Sequence, residues 1–402
     1  MRPVGIVGVG HTKFGKWNGS FLDLAATAGK EALDDAGVKC VPGHGIDQVF
    51  LASMGSGALN HISGAASALV DTLNLRPAMA ETVENGPASG ASAIKLAVMA
   101  IASGICDTAL VVGAEQMRVV SGWENTDFVA TMSHPEAEYP YGLTLPAFAG
   151  MFTRLCMDKY GITEKDLSII SVKNHENAMH NPVAHIHLVP DLYAITEDED
   201  ANVINPYVAE PLRVYHTCPV SDGAAAVVLT AMDTGRVFKK APIRIAGVGQ
   251  ATDTHVVAER EIPTDLFAVR EAAARAYQMA GLGPEDMDVA ELHDAFQILE
   301  VVESEEVGFF PRGTGHIAAR EGKTRIGGQI PINTSGGLKA KGHPLGATGV
   351  SQVVEIVRQL RGEADGRQVE GAKAGLTVNF GGFGNNVVAI ILKNDGPAAV
   401  EA

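Results

Sequence analysis

The chain repeats one pattern of elements in its two halves, and this duplication constrains the fold more than any other feature. Residues 6–12 (IVGVGHT) recur as residues 245–252 (IAGVGQAT). Each copy is followed by an amphipathic helical pattern that ends in Ala-Gly and then by an acidic turn and a short apolar strand. These elements span residues 21–37 and 47–51 in the first half and residues 266–281 and 288–292 in the second. A preserved order of this kind favours a duplicated α/β fold.

A third correspondence lies deeper in each half. The triplets at residues 88–90 (Ala-Ser-Gly) and 347–349 (Ala-Thr-Gly) each precede a helical run. Each run leads to a strand pattern rich in β-branched residues, which is typical of a strand covered on both faces. The helical runs are residues 92–103 and 351–360, and the strands are residues 108–112 and 375–379. Isolated similarities occur in any α/β chain, but three in the same order predict a duplication.

The stretch between the two halves, about residues 116–235, has a different character. It is rich in proline and histidine and contains the acidic segment 197–200. Insertions of this kind usually form a cap over a site. The sequence therefore predicts three regions: an N-terminal half (1–115 and 216–240), a loop domain (116–215) and a C-terminal half (241–402).

Charge and composition exclude several classes of function. The net charge of −16 argues against binding to nucleic acid, which requires basic surfaces. The N-terminus shows no signal peptide, and no apolar run approaches the ~20 residues that span a bilayer. Four cysteines without paired spacing predict neither a disulfide framework nor a metal site: Cys40, Cys106, Cys156 and Cys218. We expect a cytoplasmic protein that does not bind a membrane.

Three glycine-rich segments carry candidate catalytic residues. His343 stands in residues 333–349, just before a predicted helix, where a histidine can move a proton or donate to an oxyanion. His293 follows a predicted strand, where α/β enzymes place functional groups. Gly381 and Gly382 follow Asn379 in a loop that can supply backbone N–H groups to an oxyanion. Each has a structural alternative: a capping or turn histidine for His343, a buried histidine satisfied by Asp294 or the backbone for His293, and a tight turn for the glycines.

At these segments the chain resembles the thiolase superfamily, in particular its sterol-carrier-protein-x and archaeal branch. The resemblance rests on the motifs at residues 84–93, 173–175 (KNH), 221–226 (SDGAAA), 293–296 (HDAF) and 342–349 (GHPLGATG). It implies two duplicated βαβαβαββ halves in α-β-α-β-α layers with an inserted loop domain. It also implies a homodimer and an acyl-CoA substrate, with coenzyme A entering or leaving as part of substrate or product and no metal in this chain.

The chain departs from the family pattern at two positions. Pro87 stands where the resemblance implies the nucleophilic cysteine, and proline lacks both a thiol and a backbone N–H. Losing one oxyanion donor costs about 2.7 to 4 kcal/mol in other enzymes. Val378 stands where this branch has a histidine before asparagine. The groups that remain for catalysis are His293, His343, Asn379 and the backbone of Gly381 and Gly382.

Three hypotheses follow. The first is a C–C lyase that cleaves a β-hydroxyacyl-CoA by a retro-aldol reaction without a covalent intermediate, since relatives of this kind lack the cysteine and pair with a small OB-fold and zinc-ribbon subunit. The second is a thiolytic acyltransferase, a β-ketoacyl-CoA thiolase working by a non-standard route. The third is a non-catalytic thiolase-fold subunit of a complex. Proline is compatible with a first helical position, so we expect the fold to tolerate Pro87 there. We also expect Ser89 to point away from the site.

Overall fold

A computed structural model describes residues 2–43 and 45–396. The strands and helices alternate through each half, as the repeated sequence pattern predicts. The strands are β1 (Val4–His11), β2 (Gln48–Ala52), β3 (Met79–Val83), β4 (Thr108–Glu115), β5 (Tyr207–Ala209), β6 (Leu212–Arg213), β7 (Gly223–Ala231), β8 (Ile243–Thr252), β9 (Val289–Glu291), β10 (Ala374–Gly381) and β11 (Asn386–Lys393). The helices are α1 (Phe21–Ala36), α2 (Ala65–Thr72), α3 (Ser89–Ala102), α4 (Gly122–Ala130), α5 (Leu145–Tyr160), α6 (Glu164–Ala178), α7 (Leu192–Thr196), α8 (Ala201–Ile204), α9 (Phe267–Ala280), α10 (Gln297–Glu306), α11 (Gly315–Arg320) and α12 (Leu345–Arg361).

The two halves form matching parts of one mixed sheet with the order β3-β2-β4-β7-β1-β8-β11-β10-β9. In the first half β2 pairs in parallel with β4, and β7 is antiparallel to both β4 and β1. In the second half β9 pairs in parallel with β10, and β11 is antiparallel to both β10 and β8. The halves meet where β1 pairs with β8 at Gly5↔Arg244 and Ile6↔Ile243. This shared pairing confirms the predicted duplication.

The helices form three layers, and one half of the sheet lies between each pair of neighbouring layers. This is the predicted α-β-α-β-α order. The side chains of α1 and α2 pack on the outer face of the first half, and those of α9 and α10 pack in the core of the second. Helices α3 and α12 lie between the halves and contact strands of both. They cross closely, because a Cβ on Gly90 would lie 2.9 Å from the carbonyl oxygen of Gly346. The glycine of the first repeated triplet is therefore required by the crossing of the two central helices.

The two halves differ in what joins their last two strands. In the second half, β10 and β11 are joined by the turn at residues 382–385. In the first half, residues 116–222 separate β4 from β7 and contain α4 to α8 and the β5–β6 hairpin. The predicted domain boundaries stay a prediction. Within residues 2–43 and 45–396, no helix is both long and apolar enough to cross a bilayer.

Candidate active site

A cavity of about 230 Å³ opens where the insertion meets the sheet. It brings together four of the positions that the sequence singled out: Pro87, His293, His343 and Gly382. Pro87 comes from the segment before α3, His343 from the segment before α12, and His293 from the end of β9. The remaining wall is mostly apolar and comes largely from the insertion and α10. Both halves thus contribute to a single site, but both of its histidines come from the second half.

His343 presents an unprotonated nitrogen to the cavity. Its Nδ1 lies 2.7 Å from Thr348 Oγ1, and the single hydroxyl proton of Thr348 is donated to the carbonyl oxygen of Pro344 at 2.9 Å. In the arrangement in which Thr348 donates to Pro344, the hydroxyl accepts from His343, which assigns the proton to Nδ1 and the lone pair to Nε2. Burial, and next to it the charge of Lys341, lowers the pKa of His343 to about 3. The ring is neutral at pH 7 and can accept a proton at Nε2.

His293 has the opposite arrangement. Its Nδ1 lies 3.2 Å from Asn379 Nδ2 and 3.5 Å from the backbone nitrogen of Phe380, both of which are donors. Nδ1 is therefore the acceptor, which places the proton on Nε2. The ring stacks on Phe380 with centroids 5.0 Å apart and an interplanar angle of 9°. Burial, and next to it the nearby His343, holds the pKa of His293 well below its usual value. His293 is thus a neutral hydrogen-bond donor.

The two imidazole rings face each other edge to face, with centroids 5.0 Å apart and an interplanar angle of 85°. Both line the cavity, and no described residue hydrogen-bonds to either Nε2. A neutral base and a neutral donor within this distance suit a reaction in which one group loses a proton while a neighbouring oxygen gains negative charge.

Asp294 does not satisfy the imidazole of His293, which was the structural alternative. Its carboxylate accepts hydrogen bonds from the backbone of Leu338 at 2.7 Å and from Asn174 Nδ2 at 2.8 Å. Burial raises its pKa to about 7. The backbone N–H of His293 donates to Glu303 at 2.9 Å. These contacts fix the main chain around His293, and its ring lines the cavity.

The expectation that Pro87 occupies the first helical position is wrong. Helix α3 begins at Ser89, and Ala88 precedes it as the N-cap, so Pro87 lies before the cap. Ser89 is fully buried; its Oγ donates to the carbonyl oxygen of Gly86 at 2.6 Å and accepts from the N–H of Asn85 at 2.8 Å. These bonds hold the hydroxyl in the turn, so Ser89 does not replace a nucleophile.

The glycine loop after β10 contributes one of its two predicted residues to the cavity wall. Gly382 lines the cavity with φ at 61°, and a Cβ there would lie 2.4 Å from Asn385 Oδ1. The hydrogen bonds of the turn are made by the N–H groups of Phe383 and Asn385. Gly381 instead lines a neighbouring cavity on the side of Asn85.

Asn379 also lies outside the wall of the central cavity. It is fully buried behind His293, and its amide approaches Nδ1 of that ring. Asn379 therefore positions His293 and is not among the described residues that line the cavity. The sequence names Asn379 among the catalytic groups, whereas its side chain lies between β10 and His293, outside the residues that line the cavity.

Two residues of the site were missed. Thr348 belongs to the repeated triplet, and its position five residues after His343 at the start of a helix was the available signal. Cys218 lines the cavity, and its N–H donates to the carbonyl oxygen of Ala295 at 2.9 Å. Burial raises the pKa of its thiol to about 12, so it is not a thiolate at pH 7. It lies in the site without the activation that a nucleophilic cysteine requires.

Comparison with known proteins agrees with this architecture. The model of the thiolase N-terminal domain matches residues 4–233, and the model of the thiolase C-terminal domain-like family matches residues 249–394. The acetyl-CoA acetyltransferase of Methanothermobacter thermautotrophicus is 41% identical over 392 residues, which cover 97% of this chain and 99% of the relative.

Sterol carrier protein 2 of Homo sapiens is 33% identical over 424 residues, covering 100% of this chain and 74% of the relative. Among solved structures, the Ltp2-ChsH2(DUF35) aldolase superposes with a TM-score of 0.82 at 25% identity and covers 98% of each chain. The duplicated sheet, the paired histidines and these matches together show that the chain belongs to the thiolase superfamily, in its sterol-carrier-protein and archaeal branch.

Proposed function

We propose that this protein cleaves the Cα–Cβ bond of a β-hydroxyacyl-CoA by a retro-aldol reaction without a covalent intermediate. The observation that carries the proposal is the opposite protonation of the two histidines in one cavity: His343 offers a lone pair, and His293 offers an N–H. A retro-aldol reaction needs both groups and no nucleophile.

The reaction balances with these residues alone. Nε2 of His343 removes the β-hydroxyl proton, the Cα–Cβ bond breaks as the β-carbon becomes a carbonyl, and the electron pair moves into the thioester as an enolate. Nε2–H of His293 and the N–H of Gly382 stabilise the enolate oxygen. His343 then returns its proton to Cα, which yields a shortened acyl-CoA and an aldehyde or ketone. The enolate's negative charge offsets the weak basicity of a buried His343, because opposite charges attract strongly in an apolar cavity.

The absence of an activated nucleophile from the described part of the cavity supports this route. The ring of Pro87 occupies the position that the family resemblance assigns to the cysteine, and the thiol of Cys218 is protonated at pH 7. Proline at position 87 also contributes no backbone N–H to the wall. His293 then takes on the larger part of enolate stabilisation.

A thiolytic acyltransferase is the second candidate, and it is favoured by the 41% identity to an acetyl-CoA acetyltransferase. In that reaction His343 would deprotonate the thiol of free coenzyme A, which would attack a β-ketoacyl-CoA directly. The two reactions differ in their co-substrate: thiolysis consumes free coenzyme A, and retro-aldol cleavage does not.

The test is a matched pair of substrates assayed with and without free coenzyme A. We expect the full-length protein to cleave a β-hydroxyacyl-CoA in the absence of coenzyme A and to release an aldehyde or ketone. Cleavage of only the β-ketoacyl-CoA, with strict dependence on coenzyme A, would establish thiolysis instead. No turnover of either ester, with or without a partner subunit, would identify a non-catalytic member of a complex.

We also propose that the chain works as a homodimer in the cytoplasm and associates with a small OB-fold and zinc-ribbon subunit. Strand β3 lies at the edge of the sheet, paired on one side with β2, and Met79 at its start is 43% exposed. An edge of this kind is available for pairing with a second copy. The similar solved structure is itself named the Ltp2-ChsH2(DUF35) aldolase. Co-purification and mass measurement of the assembly test both associations.

A further inference from the structure

The central cavity has no formally charged residue in its described wall. None of its lining residues is Asp, Glu, Lys or Arg. The side-chain donors of its other polar residues are committed to the protein: Asn125 Nδ2 donates to the carbonyl oxygen of Met117 at 2.8 Å, Thr126 Oγ1 to that of Gly122 at 3.0 Å and Thr217 Oγ1 to that of Val214 at 3.1 Å. Asn125 Oδ1, an acceptor, has no partner among the described residues. A charged group placed in this cavity would lose its hydration without gaining a partner of opposite charge.

The wall away from the histidines is apolar and firmly packed. We call this part the acyl wall. It consists of Val129, Met132, Leu145, Phe296, Leu299 and Phe383. Behind it, Phe152 packs edge to face on Phe383 with ring centroids 5.5 Å apart, and Phe148 stacks on the same ring at 6.1 Å. A wall supported in this way keeps its shape and favours an apolar ligand of matching size.

Met132 lies between the central cavity and a neighbouring one. It and Gly382 line both the central cavity and a second cavity on the other side. The second cavity is lined by Glu84 and Asp253. Asp253 Oδ2 lies 3.6 Å from Nε of the buried Arg260, whose Nη2 donates to the carbonyl oxygen of Phe383 at 2.6 Å. The two carboxylates and one guanidinium leave a formal charge of −1, so a substrate carboxylate that extended past Met132 would meet a net charge of the same sign. The net charge of −16 adds a repulsion of the same sign.

From this geometry we infer that the acyl substituent accepted by the site is neutral, apolar and several carbons long, and that the site rejects acyl groups with a terminal carboxylate. The inference rests on the proposed binding of acyl-CoA and names the substrate class of that same site. The cavity of about 230 Å³ is several times the ~30 Å³ that a water molecule occupies in the liquid, so an acetyl group would leave much of it unfilled.

The test measures binding, so it does not depend on turnover. Acetyl-CoA, hexanoyl-CoA and adipoyl-CoA are titrated against the full-length protein by calorimetry. They lack the β-hydroxyl and β-keto groups, so neither proposed reaction consumes them. Hexanoyl and adipoyl chains have the same length and differ in a terminal carboxylate. We expect hexanoyl-CoA to bind at least tenfold more tightly than acetyl-CoA, since each buried methylene contributes roughly fourfold, equivalent to about 0.8 kcal/mol. We expect at least the same difference from adipoyl-CoA, because its terminal carboxylate would lose its hydration in the cavity.

A variant in the acyl wall tests the location. Val129→Lys places a cation in the half-buried part of the wall, and we expect it to strengthen adipoyl-CoA binding at least tenfold and to weaken hexanoyl-CoA binding. The matched control is Val237→Lys, at a residue that is 96% exposed and outside the cavity, which we expect to change neither affinity. A long, half-exposed lysine can be accommodated at position 129 without burying its whole side chain.

The outcomes separate this inference from the proposed reaction. Tighter binding of hexanoyl-CoA without any retro-aldol turnover would support the substrate class and contradict the reaction. Retro-aldol turnover with equal affinity for hexanoyl-CoA and adipoyl-CoA would support the reaction and contradict the substrate class. Absence of binding by all three esters, or an unchanged preference in Val129→Lys, would overturn the inference.

Discussion

The two central helices are entered through segments that share a sequence pattern but use it differently. The first entrance, residues 85–90, leads into α3, and the second entrance, residues 342–349, leads into α12. In each, a buried hydroxyl of the repeated triplet donates to a carbonyl earlier in the same segment: Ser89 to Gly86, and Thr348 to Pro344. Ser89 accepts from a backbone N–H, whereas Thr348 accepts from the imidazole of His343. The same hydrogen-bonded hydroxyl is structural in the first half and orients a proposed catalytic base in the second.

The two halves therefore share the same kind of helix entrance, but only the second entrance carries a proposed catalytic residue. Both entrances end in a glycine at the crossing of α3 and α12, so both are constrained by packing. Only the second carries a histidine whose tautomer depends on the hydroxyl. Substitutions at matching positions are therefore expected to affect stability in the first entrance and turnover in the second.

The largest effect is expected from His343→Ala. Removing the base should lower kcat for β-hydroxyacyl-CoA cleavage by about 10² to 10⁴-fold, the usual contribution of general acid–base catalysis. Steady-state kinetics measures the loss. His187→Ala, a matched change at an exposed histidine of the insertion, should retain kcat. A kcat within twofold of the wild type in His343→Ala would exclude His343 as the base.

Thr348→Val tests whether the hydroxyl acts through His343. Valine keeps the shape but removes the acceptor of Nδ1–H, and we expect kcat to fall about tenfold, which corresponds to roughly 1.4 kcal/mol for a buried hydrogen bond. KM should change little. Thr348→Ser restores the hydroxyl and should recover kcat to within about threefold, while a purely packing role would leave the serine variant as impaired as the valine variant.

Pro87→Cys places a thiol at the first entrance, close to the N-terminus of α3. We expect the new thiol to be alkylated by iodoacetamide, since position 87 lines the cavity, and the product to be seen by mass spectrometry of the intact protein. The free energy of unfolding should fall by about 0.4 to 1 kcal/mol, because proline restricts the unfolded chain. Pro87→Ala, which restores an N–H without a thiol, is the control. Failure of the introduced thiol to react would contradict the placement of this position in the cavity.

Ser89→Ala should lower the free energy of unfolding and leave kcat unchanged, whereas Thr348→Val should lower kcat. It leaves the buried N–H of Asn85 without its partner, which costs about 1 to 3 kcal/mol of unfolding free energy. Chemical denaturation measures this loss, and kcat should stay within twofold of the wild type. A loss of kcat as large as that of Thr348→Val would show that the two entrances are not functionally distinct.

The smallest effect is expected from pH. His343 acts in its deprotonated form, and its pKa is lowered to about 3, so the active form persists as pH falls and is lost only near that value. We expect kcat/KM to be flat between about pH 8 and pH 5, within the range in which the protein stays folded by circular dichroism. An inflection between pH 6 and pH 7 that persists in Asp294→Asn would show that the base is exposed to solvent, since Asp294 beside His293 itself has a pKa of about 7.

Much of this architecture could be predicted from the sequence. Hydrophobic periodicity and the repeated glycine patterns are local signals, and they located β1, β8, α1 and α9 to within a few residues. His293, His343 and Gly382 were predicted because each stands in a segment of polar and glycine residues that a plain turn does not require.

The remaining features depend on contacts between distant segments. The placement of Asn379 behind His293 is set by packing of β10 against the end of β9. The cavity wall formed by α4 is not visible from periodicity, because a helix that lines a cavity has the same apolar pattern as one that packs on a core. The tautomer of His343 depends on its contact with Thr348, and that of His293 on its contacts with Asn379 and Phe380, none of which the sequence shows.

The insertion leaves the sheet after Glu115 and returns at Gly223, and these two residues are paired across β4 and β7. The pairing of these two residues does not depend on α4 and α5, so the lining contributed by these helices can vary without moving a histidine on its strand or helix. Helix α6 is constrained, because its Asn174 donates to Asp294 beside His293. The proposed choice of acyl chain and the proposed proton transfers therefore rest on different elements, and sequence change in α4 and α5 can alter the substrate that is accepted while the reaction stays the same.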